Sequence, residues 1–139
     1  MAEGAYLSAE IILELLKDDK VDAIGGLTLG ADPLVGAIAV LSFELKHPVK
    51  TFIIRKTPKP HGKQQQIEGP LLNSEDCVVL VDDVATTGKA FLESLDVLEK
   101  IGVSVKKAVC LVDRDEGAKA ALKKRGCALI ALFTASDFL

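Results

Sequence analysis

The chain has 139 residues, 49% of them hydrophobic, with 17 Lys and Arg against 20 Asp and Glu for a formal net charge of -3. That balance excludes a disordered or fibrous chain, gives no general attraction to nucleic acid and, with no apolar run of bilayer-spanning length, no expectation of a membrane partner. One domain over residues 1–139 is expected, able to bury roughly two-thirds of the surface its unfolded chain exposes without a disulfide or a structural metal.

The first four residues carry no basic segment leading into an apolar stretch, so no secretory signal is expected. Residues 5–18 set Ile11, Ile12, Leu15 and Leu16 at helical spacing among Glu10, Glu14, Lys17 and Asp18, which predicts an amphipathic helix. Residues 21–26 form a short apolar run ended by Gly25 and Gly26, a strand opening into a turn. Pro33, with its fixed φ, starts a helix that runs to about Leu45. A strand rich in β-branched residues follows over 49–54 and delivers the chain to a polar, irregular stretch over 55–66.

The second half repeats the alternation, with strands over 77–81, 105–112 and 127–133 and helices over about 87–101 and 116–125. Unbroken apolar strands such as Val78-Val79-Leu80-Val81 suit a parallel sheet covered on both sides. The predicted class is therefore α/β, a Rossmann-like open, mostly parallel sheet with helices on both faces. Cys77, Cys110 and Cys127 are odd in number, far apart and beside apolar residues, so buried reduced thiols and a cytoplasmic setting are expected.

In such a sheet ligands bind beyond the carboxyl ends of the strands, so the residues after each strand are where chemistry is sought. After Val81 come Asp82, Asp83, Val84, Ala85, Thr86, Thr87, Gly88, Lys89 and Ala90. Small and hydroxyl residues opening a helix make a phosphate cradle, while two carboxylates suit sugar hydroxyls or a magnesium ion. The bland alternative is that both acids cap the helix. A Walker A loop fails here, because Asp83 stands where its first glycine belongs and Ala90 where it needs Ser or Thr. A receiver domain would place its acidic pair near the start of the domain, and here it lies past the midpoint.

Residues 55–66 hold Arg55, Lys56, Lys59 and Lys63 and no carboxylate, a loop that repels itself unless it folds over a polyanion; the alternative is a solvated basic loop. The backbone amides of the loop after the first strand could bind an anion, or the loop is simply a glycine-rich turn. Arg114, between Asp113 and Asp115 at a strand end, is either a ligand contact or a surface ion pair.

Residues 78–90 resemble the phosphoribosyl diphosphate (PRPP) binding motif of the type I phosphoribosyltransferases. Residues 25–33, Arg55-Lys56 with Lys59 and His61-Gly62, Ile67-Glu68-Gly69-Pro70 and Leu111-Val112-Asp113-Arg114 are similar, in the same order, to the orotate phosphoribosyltransferases, over nearly the whole chain. The resemblance implies transfer of the phosphoribosyl group of Mg-PRPP to orotate, giving orotidine 5′-monophosphate and pyrophosphate in de novo pyrimidine synthesis. It implies Asp82 and Asp83 on the ribose hydroxyls and, with Lys59 and His61, as the catalytic set, and residues 84–90 around the phosphate. Arg55, Lys56, Lys59 and His61 would clamp the pyrophosphate together with Thr28, Leu29 and Gly30, part of the basic loop reaching into a neighbouring subunit of a homodimer.

Thr86 and Arg114 would contact orotate. Mg2+ would be held mainly by PRPP and water, with Asp32 either carrying a metal-bound water or capping the helix. The family has a segment before its first helix that contributes base contacts and a hood, and this chain starts almost at that helix, so the hood is expected to be reduced or absent. The alternatives are a non-catalytic PRPP-binding regulatory module or transfer to another nucleobase. Arg114 and the complete basic loop favour the enzyme.

Overall fold

In a computed structural model, which describes residues 2–62 and 64–138, the elements run α1 (Ala2–Leu15), β1 (Ala23–Leu27), α2 (Asp32–Glu44), β2 (Lys50–Ile54) and β3 (Ile67–Glu68). They continue with β4 (Val78–Ala85), α3 (Lys89–Lys100), β5 (Val105–Asp113), α4 (Ala118–Lys124), β6 (Ala128–Thr134) and a closing 3-10 turn (Ala135–Phe138). The strands form one sheet in the order β3-β2-β1-β4-β5-β6, all neighbours parallel except the antiparallel edge pair of β2 and β3.

Helices cover both faces, as expected. On one face Ile12 and Leu16, from α1 and the residue just past it, and Leu34 and Ile38 of α2 pack on Ile24, Val79, Val81 and Val109. On the other, Phe91, Leu95 and Leu98 of α3 and Leu122 of α4 pack on Phe52, Ile54, Leu80 and Cys110. Successive residues of β4 thus serve opposite cores, which is why the strand is apolar without alternation. Burial of a side chain such as Ile38 or Leu80 contributes on the order of 2 kcal/mol.

The boundaries differ in instructive places. α1 starts at Ala2 and ends at Leu15, and of its predicted apolar stripe Ile12 and Leu16 are buried while Ile11 and Leu15 are exposed. Gly25 and Gly26 lie inside β1 rather than ending it, because the Phe52 ring and the Val81 backbone press on the strand there. β4 continues past Val81 to Ala85, since β5 keeps pairing through Asp82 with Cys110 and Ala85 with Asp113. Cys110 and Cys127 are buried free thiols, but Cys77 is exposed, sitting just before β4 with its N–H donated to Asp22 Oδ2 at 2.8 Å. Among the described residues no helix is long and apolar enough to cross a membrane.

Candidate active site

Parallel pairing brings the ends of β1, β2, β4 and β5 to one edge of the sheet, and backbone hydrogen bonds tie the loops beyond them. Thr28 N–H donates to the Ile54 carbonyl at 3.0 Å, Arg114 N–H to Ala85 at 2.9 Å, and Ala118 N–H to Thr86 at 3.2 Å. A cleft of about 550 Å³ opens at this edge, with Leu27, Lys56, Asp82, Thr86, Lys89 and Glu93 in its lining. A larger groove of about 1160 Å³ between α1, α2 and residues 45–49 is lined by none of the predicted site residues.

Asp82 and Asp83 are the last polar step of β4 before the loop. Asp82 is only 7% exposed, whereas Asp83 faces solvent. Asp83 N–H donates to Asp82 Oδ1 at 2.8 Å and Val84 N–H to Asp83 Oδ1 at 2.7 Å. Burial, reinforced by the neighbouring Asp83 carboxyl, pushes Asp82 up to about 7, against the lowering effect of the Asp83 N–H. Neither acid caps α3, whose N-cap is Gly88 with no side-chain bond, so the capping alternative falls. Beneath the pair, burial first and then the charges of Asp113 and Asp82 push the Cys110 thiol up to about 12, leaving it neutral.

The loop after β1 presses on these carboxylates. A Cβ added at Gly30 would fall on the Asp82 carboxylate and lie 2.8 Å from Asp83 Oδ1, so Thr28, Leu29, Gly30 and the two acids form one wall. The Thr28–Leu29 peptide bond is cis. Asp32 Oδ2 accepts the Thr28 hydroxyl at 2.8 Å, while its Oδ1 is buried with no partner among the described residues. α2 takes Ala31 as its N-cap without a side-chain bond, so Asp32 is not a helix cap.

Across the cleft, Val84, Ala85, Thr86, Thr87, Gly88, Lys89 and Ala90 lead from β4 into α3. Gly88 has φ 94°, and a Cβ there would sit 3.1 Å from Leu122 Cδ1 and 3.2 Å from Ala118 Cα, so glycine is required both by backbone and by contact with α4. It delays the helix from the predicted Thr87 to Lys89. The unpaired N–H groups of that first turn carry positive partial charge and face the loop.

Only part of the basic stretch meets this chain's cleft. Lys56 lines the cleft, but Arg55 Nη1 lies 3.2 Å from Glu68 Oε1, Lys59 Nζ lies 3.5 Å from Glu68 Oε2, and His61 is solvent-exposed. The structure thus brings Lys56 together with Asp82 and Thr86, and leaves Arg55, Lys59 and His61 outside the cleft lining; Lys63 lies outside the described residues. The sequence places Glu68 in the Ile67-Glu68-Gly69-Pro70 segment that carries the resemblance but assigns it no role, although it is the first carboxylate after a run of cations without one. Arg114 is exposed and, among the described residues, forms no ion pair; Asp113 instead accepts the Asp115 N–H at 3.0 Å, so the surface-pair alternative falls. Among the described residues no group of three or more His, Cys, Asp or Glu could hold a metal by itself.

Comparison with known proteins identifies the family and the fold. A family model described as the phosphoribosyl transferase domain matches residues 2–133. An orotate phosphoribosyltransferase of Aquifex aeolicus is 43% identical over 137 residues, covering 99% of this chain and 74% of the relative. One from Bradyrhizobium sp. is 44% identical over 141 residues, covering 99% and 76%. Among solved structures, Mycobacterium tuberculosis orotate phosphoribosyltransferase in complex with Fe(III) dicitrate superposes with a TM-score of 0.84 at 32% identity, over 96% of this chain and 74% of that one. The same enzyme in complex with 5-phospho-alpha-D-ribosyl 1-diphosphate gives 0.80 at 29% identity, over 96% and 74%.

Proposed function

The chain belongs to the orotate phosphoribosyltransferase family, and we propose that it transfers the phosphoribosyl group of Mg-PRPP to orotate, yielding orotidine 5′-monophosphate and pyrophosphate in de novo pyrimidine synthesis. The observation that carries the reading is the buried Asp82, paired with Asp83, walled by Gly30 and opposite the α3 N-terminus. An anion at the helix end and sugar hydroxyls at the acids are what one ribose phosphate presents together.

In this reading the amides of 84–90 hold the 5′-phosphate, and Asp82 and Asp83 accept hydrogen bonds from the ribose hydroxyls. As the anomeric C–O bond breaks, positive charge grows on the sugar and negative charge on the departing pyrophosphate. The carboxylates supply negative potential to the first; Thr28, Leu29 and Gly30, with Lys56, Arg55, Lys59 and His61, steady the second. Thr86 and Arg114 orient orotate, whose nitrogen reacts as an anion and needs no protein base. Mg2+, when bound with PRPP, neutralises diphosphate charge. The residues fit it: Asp32 keeps a buried carboxylate oxygen free beside the pyrophosphate loop, suited to accept from a metal-bound water.

The working unit is a homodimer. In support, Arg55 and Lys59 face Glu68 rather than this chain's cleft, and Val40, Phe43 and Leu45 expose a large apolar surface on and after α2. The buried free thiols Cys110 and Cys127 suit the cytoplasm.

The decisive experiment is orotate-dependent pyrophosphate release from Mg-PRPP, with uracil, adenine and hypoxanthine as competitors. PRPP binding without release would leave a sensor module instead. Lys59→Ala is expected to lower kcat by roughly 10²-fold while shifting Tm by no more than about 4 °C, since a part-exposed ion pair contributes at most about 1 kcal/mol. Equal turnover in the two proteins would remove Lys59 from the mechanism. Arg114→Ala should raise KM for orotate roughly 10- to 100-fold with little change in KM for PRPP, the loss of a charge-assisted bidentate contact.

A further inference from the structure

The proposed reaction assigns no role to Glu68, which stands at this edge beside the basic loop. Its two carboxylate oxygens are each taken by a different cation, Oε1 by Arg55 at 3.2 Å and Oε2 by Lys59 at 3.5 Å. Two cations four residues apart converging on one anion form a site already shaped for a multidentate anion.

The arrangement is built by the backbone. β2 and β3 pair antiparallel, with Ile53 opposite Glu68 and Ile54 opposite Ile67. The pairing continues into the loop, where Arg55 N–H donates to the Gln66 carbonyl and Lys59 N–H to the Gln65 carbonyl, both at 2.6 Å. Gln66 Nε2 returns a bond to the Arg55 carbonyl at 3.1 Å, and Gln64 receives the Leu72 N–H at 2.6 Å. The glutamine run thus fastens the loop to its rim through amides, which leaves the cationic heads to Glu68. All three charged groups are at least three-tenths exposed, so the contacts are exchangeable rather than structural.

We propose that Glu68 is an internal surrogate for the leaving group: it occupies Arg55 and Lys59 in the ligand-free chain, and pyrophosphate must displace it. Glu68 is then a positioning residue acting through those two cations. It keeps them gathered and lowers the net affinity for pyrophosphate, which favours release of that product. The proposal rests on the assignment of Arg55 and Lys59 to the pyrophosphate, and its test separates the two claims.

The probe is Mg-pyrophosphate titrated by calorimetry into the full chain, without orotate. Glu68→Gln, which retains shape and removes the charge, is expected to bind it roughly 3- to 10-fold more tightly, as two weak pairs are released. Glu68→Asp should fall near the parent. Glu99→Gln removes the same charge beside Arg125, on α3, and should change affinity less than twofold. In turnover, Glu68→Gln should lower KM for PRPP and strengthen product inhibition by pyrophosphate together, a split that a purely structural role would not produce. Parent-like or weaker binding by Glu68→Gln overturns the surrogate, as does an equal gain in Glu99→Gln. No binding by the parent chain would overturn the parent assignment along with it.

Discussion

Asp82→Asn is expected to melt several degrees above the parent chain at pH 8 and yet to turn over roughly 10²- to 10³-fold more slowly. The carboxyl is held at about 7 in the folded chain against 3.8 as its ordinary value, chiefly because it is buried and then because Asp83 stands beside it. The folded chain therefore holds a proton that the unfolded chain releases, so the native state is favoured most at low pH. Stability attributable to this residue is complete below about 3.8, declines as pH rises toward about 7, and is lost above it. The ionised carboxylate costs the fold up to about 4 kcal/mol, which the neutral amide of asparagine avoids while its oxygen still accepts the Asp83 N–H.

On the proposed mechanism the same change costs function, because an ionised acceptor facing the developing sugar cation is what that mechanism draws on. A second consequence follows for binding. PRPP affinity of the parent should strengthen from pH 6 to 7 and level off above, over and above any slope that Asp82→Asn retains. Thermal melts at pH 5 and pH 8 and calorimetric titrations across this range check both. A variant that melts below its parent at pH 8, or an unchanged pH slope, would refute the strained-carboxylate account.

The sequence readily showed what lies close together along the chain. Residues 78–90 contain both acids, the turn and the helix start in one contiguous run, so the proposed phosphate loop could be picked out without tertiary information. Its strand boundary could not. Asp82 and Asp83 look like the end of a strand by polarity, but β5 offers hydrogen-bond partners as far as Asp113, and burial favours the neutral form of Asp82 while Asp83 faces solvent. The glycines of β1 are explained only by Phe52 and Val81, which arrive from neighbouring strands. Glu68 pairs with a residue 13 positions back through a two-residue strand too short to carry any periodicity. Cys77 reads as buried because apolar residues follow it, yet it stands before β4 begins.

Gly30 bears the steric side of the same site, and Gly30→Ala is expected to lower kcat/KM for PRPP by roughly 10²-fold and stability by about 1–3 kcal/mol. Its φ lies outside the left-handed region, so alanine is allowed by the backbone and the whole effect comes from the new methyl meeting Asp82 and Asp83. The carboxylates would have to leave the positions in which the proposed mechanism sets them on the ribose. Gly36→Ala is the matched control: it lies within α2 with nothing near its would-be Cβ, and should be neutral or stabilising by up to about 1 kcal/mol. Shortening the obstructed side chain supplies the second arm. In an Asp82→Ala background, Gly30→Ala should cost clearly less stability than it does alone, because the carboxylate it collides with has gone. Strict additivity of the two changes in denaturant melts would mean that the loop after β1 and the paired acids do not share a wall, and the cleft would lose the contact that joins its two halves.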